Sequence, residues 1–299
     1  FFRRAYFPHY CLVGGDSRLH EWLDTELPRM ADAPEGVRLA IAAPRGEAKS
    51  TFVSLFFVLW AVLTGRKHYI LIIADALEQA ASLLGAVKDE LEFNEALKRD
   101  FPGAGKGHVW NVGTVVTPGN VKIQALGAGK RMRGLRHGPH RPDLIVLDDL
   151  ENDGNVDKPE QRDKLQSWLQ KTVLNLGAAD GSMDVVYVGT LLHYDSVLAR
   201  TLRKPLWKAR TFRSILRWPD RMDLWDEWES LLSSRGEAEA RRFYRQHRAK
   251  MEAGAEVSWP ASRPLYRLMC LRAEDREAFD SEQQNDPLSA NEAPFNGCI

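Results

Sequence analysis

The chain has 299 residues, 44% of them hydrophobic and 27% charged, and its 41 basic residues are balanced by 41 acidic ones. That balance excludes a disordered polyelectrolyte and a chain-wide basic field, so any affinity for nucleic acid has to come from local patches. The length accommodates one large domain, or a domain with a smaller appendage. Cys11, Cys270 and Cys298 have no metal or disulfide spacing and fit a reducing compartment.

In chain order, the first buried-strand pattern is Val37–Ala42, and it runs straight into "APRGEAKST". A loop that holds a triphosphate needs inward-facing backbone N–H groups, a lysine for the β- and γ-phosphates, and a hydroxyl for Mg²⁺ at a helix N-terminus. Ala43, Pro44, Arg45, Gly46, Glu47, Ala48, Lys49, Ser50 and Thr51 fill this role in order, with Lys49 and Ser50 in the two chemical positions. Alanine stands in both glycine positions of the usual pattern, at 43 and 48, where a positive φ would be disfavoured. Arg45, inside the loop, could meet the γ-phosphate or transition-state charge.

The apolar run Phe52–Leu63 falls short of the ~18 residues a membrane helix needs and reads as a core helix, so no membrane partner is expected. Tyr69–Ala74 is a second buried strand, Glu78–Phe93 a helix, and Val115–Ile123 a hairpin around Pro118-Gly119. The loop "GAGKRMRGLRHG" from Gly127 to Gly138 lacks the Ser/Thr and the helix of a second phosphate loop. It is suited to presenting an arginine to a neighbouring subunit or to DNA phosphates.

Leu144–Leu147 is a buried strand that delivers Asp148, Asp149 and Glu151 at its C-terminal end, where ligands bind in open α/β sheets. Asp148 suits the Mg²⁺ shell and Asp149 the water-polarising carboxylate, with Glu151 a second candidate for that base. The 99 residues from Lys49 to Asp148 suggest a strand inserted between the two strands that carry them. Pro159–Leu174 is a helix, and the strand Asp184–Val188 ends in Gly189-Thr190, where the hydroxyl could sense the γ-phosphate.

Alternation of this kind predicts an α/β fold with a mostly parallel sheet flanked by helices. Beyond residue 200 come cation clusters at Arg200–Arg217 and Arg241–Lys250 and helical patterns at Trp225–Leu232 and Glu237–Glu252. These suggest a small helical subdomain, and "QQNDP" from Gln283 carries loop chemistry. The expected division is 1–200 for the core, 201–280 for the subdomain and 281–299 for a linker, the start at Phe1 and the polar end suggesting a fragment.

Together, "APRGEAKST", "ILIIADALEQA", "GAGKRMRGLRHG", "RPDLIVLDDLEND", "VVYVGTLLHYD" and "EAFDSEQQNDP" make the chain similar to the large terminase subunit of tailed bacteriophages, from about Phe7 to Pro287. The resemblance implies an additional-strand P-loop NTPase with a lid subdomain, hydrolysing ATP with Mg²⁺ to move double-stranded DNA. It implies a ring of identical subunits on a procapsid portal protein, with a small terminase subunit as partner, in the cytoplasm of a bacterial host. Lys49, Ser50, Arg45, Asp148 and Asp149 take the family's positions, and Thr190 the coupling position. Arg136, with Arg133 next, resembles the finger offered to the adjacent subunit, and the Tyr6–Pro8 and His20 region would lie near the adenine. Two departures are the alanines of the loop and aspartate at 149, where glutamate is commoner. The family's nuclease domain is not represented, so ATP hydrolysis without DNA cleavage is expected. The rival functions are a helicase-like remodelling ATPase, which would need a second RecA-like domain, and a nucleotide-binding scaffold that does not hydrolyse.

Overall fold

A computed structural model describes residues 1–10 and 15–287; Cys11, Cys298 and residues 288–299 of the expected linker lie outside the described residues. The strands are β1 (Arg38–Ala42), β2 (Tyr69–Ala74), β3 (Val109–Trp110), β4 (Thr114–Val116), β5 (Lys122–Gly127), β6 (Leu144–Asp148), β7 (Asp184–Gly189) and β8 (Lys208–Thr211). They form one sheet in the order β3-β4-β5-β2-β6-β7-β1-β8. From β5 to β8 every pairing is parallel, and β3 and β4 add an antiparallel edge. The uniformly apolar runs are explained by burial on both faces, the ordinary condition of parallel strands.

Side-chain alternation divides each strand between two cores. Leu39, Ile41, Ile70, Ile72, Leu144 and Val146 face one layer. That layer contains the helices Arg18–Ala31 and Leu77–Phe93 and the long helix of residues 49–63. Ala40, Ala42, Leu71, Ile73, Ile145 and Leu147 face the other, covered by the helices Pro159–Lys171 and Val197–Leu202. A third cluster, with Trp225, Trp228, Met251, Leu268 and Phe279, is built wholly from residues between Ile215 and Phe279. There the helices Met222–Arg235, Glu237–Met251 and Leu265–Glu274 pack beside a two-stranded ribbon of β9 (Ile215–Arg217) and β10 (Glu256–Val257).

The topology places β7 between β1 and β6, so one strand separates the strand that carries Lys49 from the acidic strand, as expected, although that strand comes after Asp148 in the chain and the 99-residue interval is filled by β2 to β5. Register then sets the site. Asp148 lies level with Val188, and Val188 level with Ile41, so the three strands end side by side at Ala43, Asp149 and Thr190.

Three features differ from the sequence expectation. The helix Arg18–Ala31 has no counterpart there, although Ser17 caps it and Leu19, Leu23, Leu27 and Met30 form its buried stripe. The cationic stretch after residue 200 contains β8, which carries the sheet past the expected boundary at 200; its side chains are exposed because it is an edge strand. The segment Gln283–Asn285, expected as linker, is buried, since Ser214 N–H donates to Gln283 and Asn285 spans Leu191 and Phe212. Among the described residues no helix is long and apolar enough to cross a membrane.

Candidate active site

The loop 43–48 leaves β1 and enters the long helix at Lys49. Ala43 extends the strand by one residue: its N–H donates to the Gly189 carbonyl (2.9 Å), and its own carbonyl accepts from Thr190 Oγ1 (3.2 Å). The two alanines sit in different backbones. Ala48 has φ +56°, in the left-handed region that glycine occupies freely, whereas Ala43 is not among the described non-glycine residues with positive φ. Only the second alanine is therefore strained. Gly46 also has a positive φ, and a Cβ there would lie 2.0 Å from the Arg263 guanidinium.

Behind the loop, buried groups fix its path. His20 Nδ1 accepts from Ser17 N–H (3.1 Å), so Nε2 carries the proton and donates to the Glu47 carbonyl (2.8 Å). The ring stacks on Phe52 at 4.2 Å, and burial lowers its pKa, keeping it neutral. The Glu47 side chain is fully buried, and desolvation pushes its carboxyl up to about 7. One oxygen accepts from Ser258 (3.4 Å) and the other has no partner. Arg45 points outward. Its N–H donates to the Glu282 carbonyl (2.9 Å) and its guanidinium pairs with the Glu282 carboxylate (2.5 Å).

At the centre, Lys49 Nζ lies 3.1 Å from Thr190 Oγ1 and 3.2 Å from Asp149 Oδ2, bringing together a helix start and two strand ends. Asp149 has φ +45°, a turn that swings it off the end of β6 while its N–H still bonds the Val188 carbonyl (3.0 Å). Asp148 has no exposed surface; one oxygen accepts from Ser50 (2.9 Å) and the other from Ser54 (2.5 Å). Burial and the adjacent Asp149 charge raise its pKa to about 6 despite these bonds and Lys49. A buried carboxylate held against two hydroxyls beside a second carboxylate is a set of hard oxygen donors with surplus negative charge, which suits a small divalent cation.

Other candidates lie elsewhere. The Glu151 oxygens accept from the N–H groups of Val197 (2.7 Å) and Leu198 (3.1 Å) and from the Tyr187 hydroxyl (3.2 Å), so its side chain caps the helix Val197–Leu202. Arg133 and Arg136 are exposed on the connection between β5 and β6, outside the Lys49 cluster. Tyr6 and Phe7 pack among Phe2, Phe56 and Phe101. Sequence reasoning did not find Ser54, although its place four residues after Ser50 puts both on one helix face. It also had no local signal for Glu282 or Arg263, which reach the loop from far along the chain.

No protein-family model matches the sequence, and neither does any curated protein. Among solved structures, the chain is similar to the large terminase of bacteriophage HK97, with 18% identity and a TM-score of 0.46 over 85% of this chain and 53% of that one. It is also similar to the ATPase domain of the Thermus phage P74-26 large terminase (15% identity, TM-score 0.41, 88% of this chain and 92% of that one). A point mutant of that domain gives 13% identity and a TM-score of 0.39 over 88% and 93%. The chain thus spans about half the length of the HK97 protein it matches.

Proposed function

We propose that the chain is the ATP-hydrolysing motor domain of a viral terminase large subunit, driving double-stranded DNA into a procapsid. One observation carries the proposal: Lys49, Thr190 and Asp149, from three separate elements, converge within 3.2 Å at the C-terminal edge of the sheet.

In this scheme the N–H groups of the loop 43–48 and the Lys49 ammonium bind the β- and γ-phosphates. Ser50 and Asp148 would hold Mg²⁺, which when bound neutralises phosphate charge, and Ser54 orients Asp148. Asp149, paired with Lys49 before the triphosphate arrives, is released as the ammonium turns to phosphate, and it then orients the attacking water and takes up its proton. Thr190, bonded to both Lys49 and the Ala43 carbonyl, reports the state of the γ-phosphate to the end of β7. Glu151 keeps its capping role. Arg45, freed from Glu282, adds charge at the loop, and Arg136 or Arg133 serves a neighbouring copy in a ring assembled with portal protein and small terminase subunit in the host cytoplasm.

The test is Asp149→Asn. ATP turnover should fall by at least about 10²-fold, while binding of a fluorescent ATP analogue persists. Turnover close to wild type would overturn the role given to Asp149. For the ring, mixing Lys49→Ala and Arg136→Ala chains should restore turnover that each lacks alone.

A further inference from the structure

Between Asp100 and Asp143 the sequence contains no acidic residue, in a chain whose basic and acidic residues balance overall. The same stretch carries Lys106, Lys122, Lys130, Arg131, Arg133, Arg136 and Arg141. It forms the antiparallel edge of the sheet and then the connection from β5 to β6, residues 128–143. These two strands are parallel with β2 between them, a crossover that usually contains a helix. Here an irregular strap replaces it. Met132 is buried in the core beneath, and Leu135 packs against that core. Lys130, Arg131, Arg133, Arg136 and Arg141 are exposed.

The strap is fixed at both ends. The Lys130 carbonyl accepts from Trp168 Nε1 (2.8 Å). At the far end His137 and His140 bond each other's backbones (2.8 and 3.0 Å), and His140 stacks on His68 at 4.4 Å. The helix Pro159–Lys171 lies alongside, with Lys164 and Lys171 exposed on either side of Trp168 along its face. Most nearby acids are engaged elsewhere, Asp143 with His68, Asp163 with Arg200, Asp75 with Asn152 and Asn155, and Glu151 with a helix N-terminus, whereas Glu160, exposed one turn before Lys164, is the one acid on the helix side of the face.

We infer that one face, made of Lys130 and Arg131 at the start of the strap and the Lys164–Lys171 side of its neighbouring helix, is the surface that grips the phosphate backbone of duplex DNA, while Arg133 and Arg136 farther along the strap keep the role given to them above. The inference takes its partner from the motor proposal above. Exposed cations on an anchored strap that itself carries no acid attract phosphates without reading bases, as a translocating partner of any sequence requires. The alternative cationic helix, Glu237–Met251, is a weaker candidate because Arg241, Arg242 and Arg248 are paired with its own or adjacent glutamates.

The experiment measures binding of the whole chain to fluorescent 30-base-pair duplexes of two unrelated sequences by anisotropy, from 50 to 200 mM NaCl, alongside ATP turnover. Lys164→Glu/Lys171→Glu and, separately, Lys130→Ala/Arg131→Ala should each weaken binding to both duplexes at least about tenfold. Each should also reduce the salt slope by about two. Arg241→Glu/Arg245→Glu should leave binding unchanged. If wild type binds and the strap variants bind equally well, the inference fails while the motor proposal stands. Strap variants that keep DNA affinity but lose ATP turnover would give the face to a neighbouring subunit and overturn it. No salt-sensitive duplex binding by wild type overturns it too. Duplex binding through this face by a chain that turns over no ATP upholds the inference and removes the motor.

Discussion

Placing glycine at the two alanine positions of the loop 43–48 should have different effects. At Ala48 the left-handed backbone costs an L-residue roughly 1–2 kcal/mol. Glycine removes that strain but adds about 0.5–1 kcal/mol of chain entropy to be lost on folding. The half-buried methyl that disappears is worth about 0.4 kcal/mol, half the value of a fully buried CH₂. Ala48→Gly should therefore be neutral or stabilising, by up to about 1 kcal/mol. At Ala43 there is no positive φ to relieve, and the methyl is completely buried. The same substitution there loses about 0.8 kcal/mol of burial and about 0.5–1 kcal/mol of entropy. The two variants should differ by about 2 kcal/mol in urea denaturation at constant m-value. A destabilised Ala48→Gly with an unaffected Ala43→Gly would refute the reasoning.

Three further outcomes follow from the site. Glu47 has a raised pKa in the folded chain, so its favourable contribution is full below the unfolded value near 4.5 and is lost as pH rises to about 7; Glu47→Gln should flatten the stability profile of denaturation across that window. Ser54→Ala removes a buried hydrogen bond to a carboxylate and should cost about 1.5–3 kcal/mol, with a higher Mg²⁺ requirement for ATP turnover. Glu282→Gln breaks an ion pair whose arginine is mostly exposed, so stability should change by less than about 1 kcal/mol, while release of Arg45 should lower the KM for ATP by up to about fivefold.

The parallel core was legible because strands buried on both faces leave uninterrupted apolar runs, as in Tyr69–Ala74 and Leu144–Leu147. The meeting of the loop lysine with the paired aspartates was legible because each lies at the end of a regular element that short spacing marks. β8 was not, because an edge strand with exposed Lys208 and Arg210 lacks both an apolar run and a polar alternation. Nor were the contacts behind the loop: His20, Ser258, Arg263 and Glu282 approach it through tertiary packing, and no local pattern encodes that. The contrast between Ala43 and Ala48 was equally hidden, since composition names the residue at a position and leaves its φ open. For Glu151, spacing alone put it beside Asp149, whereas the turn after β6 sends it to a helix terminus.

The bond from Leu191 N–H to the Asn285 side chain joins residues 94 apart, immediately after Thr190. Asn285 also donates to the Phe212 carbonyl, so one side chain fastens the ends of two strands. On a ribosome adding about 5–20 residues per second, the strand end waits roughly 5–20 seconds for this clasp. Until then the buried backbone beside the loop 43–48 is left to water, and the nascent chain holds this sheet edge with one fastening missing. The order of synthesis thus places the closing of this edge after Asn285 has been made, although Lys49 on the neighbouring loop is made 236 residues earlier.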